Sequence, residues 1–338
     1  MKLKVGLIYG AAGSAAVAAR NLGMDVLSNY ETRGTHFLET FKKNFGGIFA
    51  YDHAENPVIC FCDELPELYS HLFYDILIGQ PDCKMFSNLR TRKKEEVDIK
   101  RTQLADFFHH VSSLRPRAFI VENLPKAIDA IFPLLTTDPS FLYKPDGGNG
   151  LIDYGLTQFS INAERFIPQH RIRSFIVGIE RPTSAYYGDQ HYLSNFTYSQ
   201  SYLTTALSCR TLLKDLENPD SYNLFNNHKP HKHSAERIKG FSKLKIGESY
   251  YGTQNNRRIN PDRAAPTITS HCTQHVHYSL PRTLSVRENA RLMGWPDNFI
   301  FSGGTTKQLD QVGKAIVVPV IQDILFQLGE YLSDNNSD

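Results

Sequence analysis

Cysteine is scarce in this chain: there are five in 338 residues, at Cys60, Cys62, Cys83, Cys209 and Cys272. An odd and widely spaced set excludes a disulfide-stapled secreted fold and fits a reducing compartment. A run of about 18 consecutive apolar residues is also missing, so no transmembrane helix is expected. The opening residues, Met1-Lys2-Leu3-Lys4-Val5, lack the apolar stretch and small-residue cleavage site of a signal peptide. A cytoplasmic location is therefore expected. Charge of one sign is missing overall. With 37 Lys+Arg against 35 Asp+Glu the formal net charge is +2, which argues against a wholly basic nucleic-acid coat protein but not against a localised basic face. The chain shows no internal repeat and no low-complexity block. What is present is ordinary for a globular protein: 41% hydrophobic and 21% charged residues. The length suggests about two domains of roughly 150 residues each.

The first 180 residues alternate strand-like and helix-like segments. Apolar runs of strand length lie at Lys4 to Tyr9, Asp25 to Asn29, Pro57 to Phe61, Tyr74 to Ile78, Ala118 to Val121 and Ser174 to Ile179. Ala-rich Ser14 to Leu22 and amphipathic Phe37 to Phe45 supply helical material between them. This alternation predicts crossover units and a parallel sheet buried on both faces. From about Pro182 to Ile259 the texture turns to Tyr, Ser, Asn and His, and regular apolar periodicity fades. This segment reads as a smaller, loop-rich domain. Order returns after Pro281, with a helix from Ser285 to Met293 stopped by Gly294-Trp295-Pro296, and a final helix from Pro319 to Tyr331. The expected organisation is 1–181 as a cofactor-binding catalytic domain, 182–280 as a recognition domain, and 281–338 completing the first.

Chemistry-bearing residues gather where these strands end. Gly10-Ala11-Ala12-Gly13-Ser14 follows the first strand and opens a helix. Small residues there either let a ligand reach the backbone at a helix N-terminus or simply make a tight turn. Glu31, just past the second strand, suits ribose hydroxyls or a solvated loop. Asp63 suits an adenine amino group or a helix N-cap. Gly79-Gln80-Pro81-Asp82-Cys83-Lys84 follows the fourth run. A Cys on such a loop, beside a Lys that favours thiolate, is a candidate nucleophile, and a buried inert thiol is the alternative. Glu122 ends the next strand, where burial raises a carboxyl pKa and suits a proton donor; a helix-capping Glu is the plainer reading. Gln169, Arg171 and Arg173 alternate onto one face, fit for a phosphate or a base carbonyl, or for a solvated edge.

Taken in order, these segments resemble the DNA (cytosine-5)-methyltransferase family. The resemblance rests on the glycine turn, Pro81-x-Cys83-x-x-Phe86-Ser87, Glu122-Asn123, Gln169-x-Arg171-x-Arg173, the run Pro281 to Pro296, and Gln311-Val312-Gly313-Lys314-Ala315-Ile316. It spans nearly the whole chain except about 182–258, the family's variable target-recognition segment. It implies a Rossmann-like α/β sheet with a smaller recognition domain, and S-adenosyl-L-methionine as cofactor. It also implies transfer of a methyl group to carbon 5 of a cytosine flipped out of double-stranded DNA. Cys83 is then the nucleophile, Glu122 holds and protonates ring nitrogen 3, Arg173 contacts the base carbonyl and Arg171 supports the pocket. Gly10, Ala12, Gly13, Glu31, Asp63, Gly79 and Lys314 fall at the cofactor site. Lys84, Ser87, Arg257 and Arg258 fall toward DNA. Arg287 and Glu288 read as structural, bracing the recognition domain.

The chain departs from the family pattern at Ala12 (usually Gly), Asp82 (usually Pro), Lys84 (usually Gln) and Lys314 (usually Asn). Lys314 reads as a swap that faces DNA phosphate, as a change that weakens cofactor binding, or as a partner for an extra carboxylate on a modified cofactor. Charge is uneven. Residues 84–101 hold seven Lys+Arg and three Asp+Glu, a net of +4. Residues 210–263 hold eleven and six, a net of +5, so the remainder carries 2 − 9 = −7. Basic segments of this kind suit phosphate neutralisation. His228, His231, His233, His271, Cys272, His275 and His277 match no zinc spacing template, and no metal is expected. The small size suits a monomeric prokaryotic or phage modification enzyme and leaves room for pairing with a restriction endonuclease. The alternatives are cytosine-5 methylation of tRNA and a catalytically silent DNA-binding homologue. A dinucleotide-dependent dehydrogenase leaves the later motifs unexplained.

Overall fold

The structure is a computed structural model that describes residues 2–46, 73–82, 86, 98–181, 196–199, 207–250, 256–270 and 275–334. The expected strand at Pro57 to Phe61, with Asp63, and the segment from Cys83 to Met85 with Lys84, as well as Ser87, lie outside the described residues.

The strands are β1 (Lys4–Ile8), β2 (Asp25–Tyr30), β3 (Ile76–Gly79), β4 (Ala118–Asn123), β5 (Tyr154–Asn162) and β6 (Ile172–Glu180). They form a six-stranded sheet in the order β2-β1-β3-β4-β6-β5. Pairs among β2, β1, β3 and β4 are parallel, while β4–β6 and β6–β5 are antiparallel. The expectation of a parallel sheet therefore holds for four of the six described strands and is corrected at one edge. There β5 and β6 are joined by a short connection that permits only antiparallel pairing.

Helices cover both faces. They are α1 (Ser14–Asn21), α2 (Thr35–Phe45), α3 (Gln103–Leu114), α4 (Pro125–Thr137) and α5 (Pro139–Leu142) in the first half. In the second half are α6 (Cys209–Leu213), α7 (Ser221–Leu224), α8 (Ala235–Lys243), α9 (Val286–Arg291), α10 (Thr305–Lys314) and α11 (Val318–Asp334). Strand alternation sorts the core. Val5, Leu7, Ile76, Ile78 and Ile120 face α1, α2 and α11, whereas Ile8, Leu77, Phe119 and Val121 face α3 and α4. Cys209, Leu213, Leu216, Ile259 and Ala265 join the first of these clusters, so the segment after the sheet packs onto the same core. Burial pushes the Cys209 thiol up to about 12, the inert state of a core thiol.

The stretch Thr305–Asp334 is long and apolar enough by composition to cross a membrane, but 67% of its most apolar window is buried inside the protein. It comprises α10 and α11, and α11 buries Val320, Ile321, Ile324, Leu325 and Leu328. Its apolar face is spent on the core.

The predicted helix from Ser285 corresponds to α9, whose start is a capping box. The Ser285 side chain accepts from the Glu288 amide, and Glu288 accepts from the Ser285 amide at 2.7 Å.

Candidate active site

In a sheet of this kind ligands bind beyond the carboxyl ends of the strands, at the point where strand order reverses. Here that point lies between β1 and β3. The ends of β1, β2, β3 and β4 bring Gly10 to Gly13, Glu31, Gly79 to Asp82 and Glu122 to one edge. Because β6 runs antiparallel to β4, with Glu122 opposite Phe175 and Asn123 opposite Ser174, the start of β6 returns to that same edge and delivers Arg173.

The turn after β1 holds an unusual backbone. Tyr9 and Ala11 have φ of 58° and 51°, and Gly13 has φ of 95°. Two non-glycine residues in the left-handed region mark stored strain. Ala12 is not among the positive-φ residues, so its methyl meets no backbone penalty at the position where the family carries Gly. A side chain at Gly10 would place its Cβ 2.4 Å from Asn29 Oδ1. α1 follows the N-cap Gly13 without a side-chain cap, and the Ser14 hydroxyl is buried with no hydrogen-bond partner among the described residues. Open amides at a helix N-terminus, with a hydroxyl beside them, form a polar cradle for a ligand.

Glu31 is fully buried at the rim of this cradle. Its Oε2 accepts from the Ala11 amide at 2.7 Å, and its Oε1 accepts from the Arg33 amide and Arg33 Nε, each at 2.8 Å. Arg33 Nη2 reaches Oε2 at 2.5 Å and also donates to the Tyr9 carbonyl. The cradle and carboxylate fit the adenosyl and amino-acid polar groups of S-adenosylmethionine. Arg33, which pattern reading passed over, is the residue that orients Glu31.

Gly79 has a reason in packing. A Cβ there would lie 2.3 Å from the Phe107 ring, so only glycine admits α3 this close to β3. The loop that follows is pinned. The Gln80 amide donates to the Ile8 carbonyl at 3.1 Å, and Gln80 Nε2 donates to the Lys314 carbonyl. Asn123 Nδ2 donates to the Pro81 carbonyl at 3.2 Å, and the Asp82 amide donates to Gln103 Oε1 at 3.0 Å.

Glu122 is buried, with Arg173 Nε 3.1 Å from its Oε1. Among the described residues Oε1 nonetheless receives no well-aligned hydrogen bond. Desolvation pushes the Glu122 carboxyl above the usual range, and the positive charges of Arg173, Arg171 and Arg33 only partly oppose it.

Arg171 and Arg173 divide their work. Arg171 is buried, donating through Nη1 to the Ile268 carbonyl at 2.9 Å and through Nη2 to the Gly313 and Ala315 carbonyls at 3.3 and 3.1 Å. It is a brace between β6 and the end of α10. Gln169 braces likewise, donating to the Leu292 carbonyl at 2.6 Å and accepting from the Ile268 amide at 3.1 Å.

Lys314 ends α10 with Nζ 2.8 Å from Asp310 one turn earlier and 5.2 Å from the centre of the Phe37 ring. Its cation thus has a partner on its own helix.

The structure corrects the expectation that Arg258 faces DNA. Its guanidinium is buried and donates to the carbonyls of His277 at 2.7 Å, Tyr278 at 2.9 Å and Phe241 at 2.5 Å. Arg257 is exposed and donates from Nε to the Gly247 carbonyl at 2.6 Å. Two of the histidines read as a cluster serve packing. His228 bonds Ser285 Oγ at 2.7 Å and the Leu216 carbonyl at 3.0 Å, and His233 bonds Thr283 Oγ1 at 3.1 Å. Arg287 is fully buried and donates to the carbonyls of Asn226, Pro296 and Phe299, the structural role read for it above.

Comparison with known proteins places the chain in a family and agrees with its fold. The family model for C-5 cytosine-specific DNA methylase matches residues 7–330. Type II methyltransferase M1.ScrFI of Lactococcus lactis subsp. cremoris is 26% identical over 304 residues, covering 87% of this chain and 70% of that protein. Type II methyltransferase M1.HphI of Haemophilus parahaemolyticus is 23% identical over 329 residues, covering 91% and 82%. Among solved structures, a candidate DNA modification methyltransferase encoded within an E. coli prophage superposes with a TM-score of 0.70 at 20% identity, covering 98% of this chain and 100% of that one. At that identity the likeness speaks for the fold.

Proposed function

The chain belongs to the C-5 cytosine-specific DNA methylase family and is a DNA cytosine-5 methyltransferase, and from that premise we propose that it works on a flipped cytosine of double-stranded DNA through a covalent Cys83 intermediate, with S-adenosylmethionine as methyl donor. The observation that carries the reading is the buried Glu122–Arg173 pair at the strand edge where the pinned loop Gly79 to Asp82 leads into Cys83.

Carbon 5 of cytosine is a poor nucleophile, and the residue types at this edge answer that difficulty. The Cys83 thiolate adds to carbon 6 while the proton of Glu122 passes to ring nitrogen 3. The ring electrons then form an enamine with a nucleophilic carbon 5. Loss of the carbon 5 proton later restores the double bond and expels the thiolate. Covalent catalysis splits one difficult step into easier ones. The raised carboxyl pKa favours a proton on Glu122, as this step requires. Arg173 lies beside that carboxyl, where its guanidinium can meet the base carbonyl oxygen. S-adenosylmethionine, when bound, supplies an electrophilic methyl group. Gly10, Ala12, Gly13, Glu31 and Arg33 would hold its polar groups. The base must leave the duplex stack, at a cost of about a few kcal/mol. The basic segments 84–101 and 210–263 would neutralise phosphates, with Arg257 among the residues available to DNA. Residues 182–280 would supply the recognition surface. The protein acts as a monomer, and a paired restriction endonuclease is its natural counterpart.

The test is methylation of mixed-sequence DNA followed by bisulfite sequencing, which reads activity and target sequence together. Cys83→Ala is expected to lose about 10³-fold or more in methyl transfer while DNA binding persists. Full methylation by that variant would overturn the mechanism. Transfer to tRNA in place of duplex DNA would reassign the substrate, and binding without any transfer would mark a silent homologue.

A further inference from the structure

Gln103 belongs to no motif of the family series, yet it stands between the two loops that matter most. It is the first residue of α3, directly after the N-cap Thr102, whose hydroxyl accepts from the Ala105 amide. Its side chain is partly exposed and uses both ends of its amide. Oε1 accepts from the Asp82 amide at 3.0 Å, and Nε2 donates to Thr32 Oγ1 at 3.2 Å. Asp82 immediately precedes Cys83, and Thr32 immediately follows Glu31. The helix behind Gln103 is rigidly seated, since Leu104, Ala105, Phe107 and Phe108 are fully buried, and Phe107 rests on Gly79.

Resting on the function proposed above, we propose that Gln103 is a positioning residue that couples the cofactor loop at Glu31–Thr32 to the backbone that presents Cys83. The glutamine ties the backbone of Asp82, the residue before Cys83 in the chain, to the start of α3. A hydrogen bond from a helix seated this firmly limits the positions open to the Asp82 backbone. The second arm makes this anchor responsive. Thr32 is attached to the carboxylate that receives the cofactor, so ordering of that loop is passed through one side-chain amide to the residue before the nucleophile. A side chain with one donor and one acceptor end is required. Glu at this position lacks the N–H donor, and Leu lacks both.

The test measures hydrogen exchange of the Asp82 amide with and without S-adenosylhomocysteine, alongside kcat and KM, in three proteins. In wild type, S-adenosylhomocysteine slows exchange at Asp82. In Gln103→Leu, exchange at Asp82 is about fivefold faster in the free protein, the loss of one hydrogen bond's protection, and no longer responds to the ligand. Its kcat falls about tenfold through misplacement of the nucleophile, with KM for S-adenosylmethionine changed less than about threefold. In Thr32→Val the free protein keeps slow Asp82 exchange but loses the response, which separates the anchor from the coupling. Wild-type kcat and unaltered Asp82 exchange in Gln103→Leu would overturn the proposal. So would a wild-type ligand response in Thr32→Val. If wild type neither binds S-adenosylhomocysteine nor transfers methyl groups, the proposed function falls and the coupling with it. Unchanged exchange in Gln103→Leu beside an active wild type defeats the coupling alone.

Discussion

Glu122 and Glu288 are both buried carboxyl groups with an arginine at hand, and their pKa values move in opposite directions. Glu288 is fully buried, and desolvation alone would push its carboxyl up. Arg282 nevertheless forks onto both its oxygens at 2.7 Å, and the Ser285 amide adds a third bond at 2.7 Å. These bonds outweigh burial and hold the carboxyl below its ordinary range. Glu122 has an arginine at 3.1 Å but among the described residues Oε1 lacks such aligned donors, and burial wins. Counting hydrogen bonds to the charged form, rather than burial or the nearest cation, separates a structural acid from a proton donor.

The largest expected effect tests the donor side of this contrast. Glu122→Gln should lower kcat by about 10²–10⁴-fold with melting temperature held or raised, because a buried carboxyl with few bonds becomes a neutral amide. The pH profile carries the sign. Wild-type kcat falls as pH rises through the raised Glu122 pKa, since the donor loses its proton, and the Gln variant lacks that limb. A kcat near wild type would end the assignment of Glu122 as donor.

Next comes Glu288→Gln, which strands the Arg282 charge while keeping an acceptor for the capping box of α9. Urea unfolding should show a loss of about 3–5 kcal/mol, the cost of halving a buried ion pair, with activity tracking the folded fraction. A stable variant that lost activity would mean Glu288 belongs to the chemistry.

The smallest effect comes from the histidine beside Glu288. His277 Nε2 lies 3.6 Å from Glu288 Oε1, and burial lowers the His277 pKa to about 4, with Glu288 opposing that shift. Its folded pKa lies below its unfolded value near 6.5, so the unfolded chain binds a proton first as pH falls. Stability is intact above about pH 6.5 and declines toward pH 4, with His277 alone contributing a loss of about 2 kcal/mol at pH 5. Urea midpoints at the two pH values measure it. His277→Phe should flatten the slope, and an unchanged slope would assign the dependence to other histidines such as the half-buried His110, also lowered to about 4 by desolvation.

The strand ends were readable because apolar runs and the residues after them carry local signals. Lys4 to Tyr9, Asp25 to Asn29 and Ala118 to Val121 all match strands, and Glu31 and Glu122 fall at their carboxyl ends. β5 escaped notice because Thr157, Gln158, Phe159 and Ser160 leave its middle only partly buried at the sheet edge, which blurs the apolar pattern. The antiparallel return of β6 is a fact of pairing, not of periodicity, so the meeting of Arg173 with Glu122 could not be derived from spacing alone. Arg258 misled for a related reason. Its acceptors are carbonyls of residues 241, 277 and 278, and backbone oxygens leave no mark in composition. Gln103 and Arg33 work through single side-chain bonds made by common polar residues.

The reach of Arg171 to the carbonyls of Gly313 and Ala315, with the Gln80 side chain on the Lys314 carbonyl, sets a condition on synthesis. A ribosome delivers β1 to β6 long before residues 313–315 emerge. Until they do, the loop Gly79 to Asp82 and the start of β6 each lack a carbonyl partner. A prematurely terminated chain would therefore carry the whole sheet and almost every reactive residue, yet leave Arg171 and Gln80 without their final anchors. Assembly of this edge of the sheet thus waits on residues 313–315.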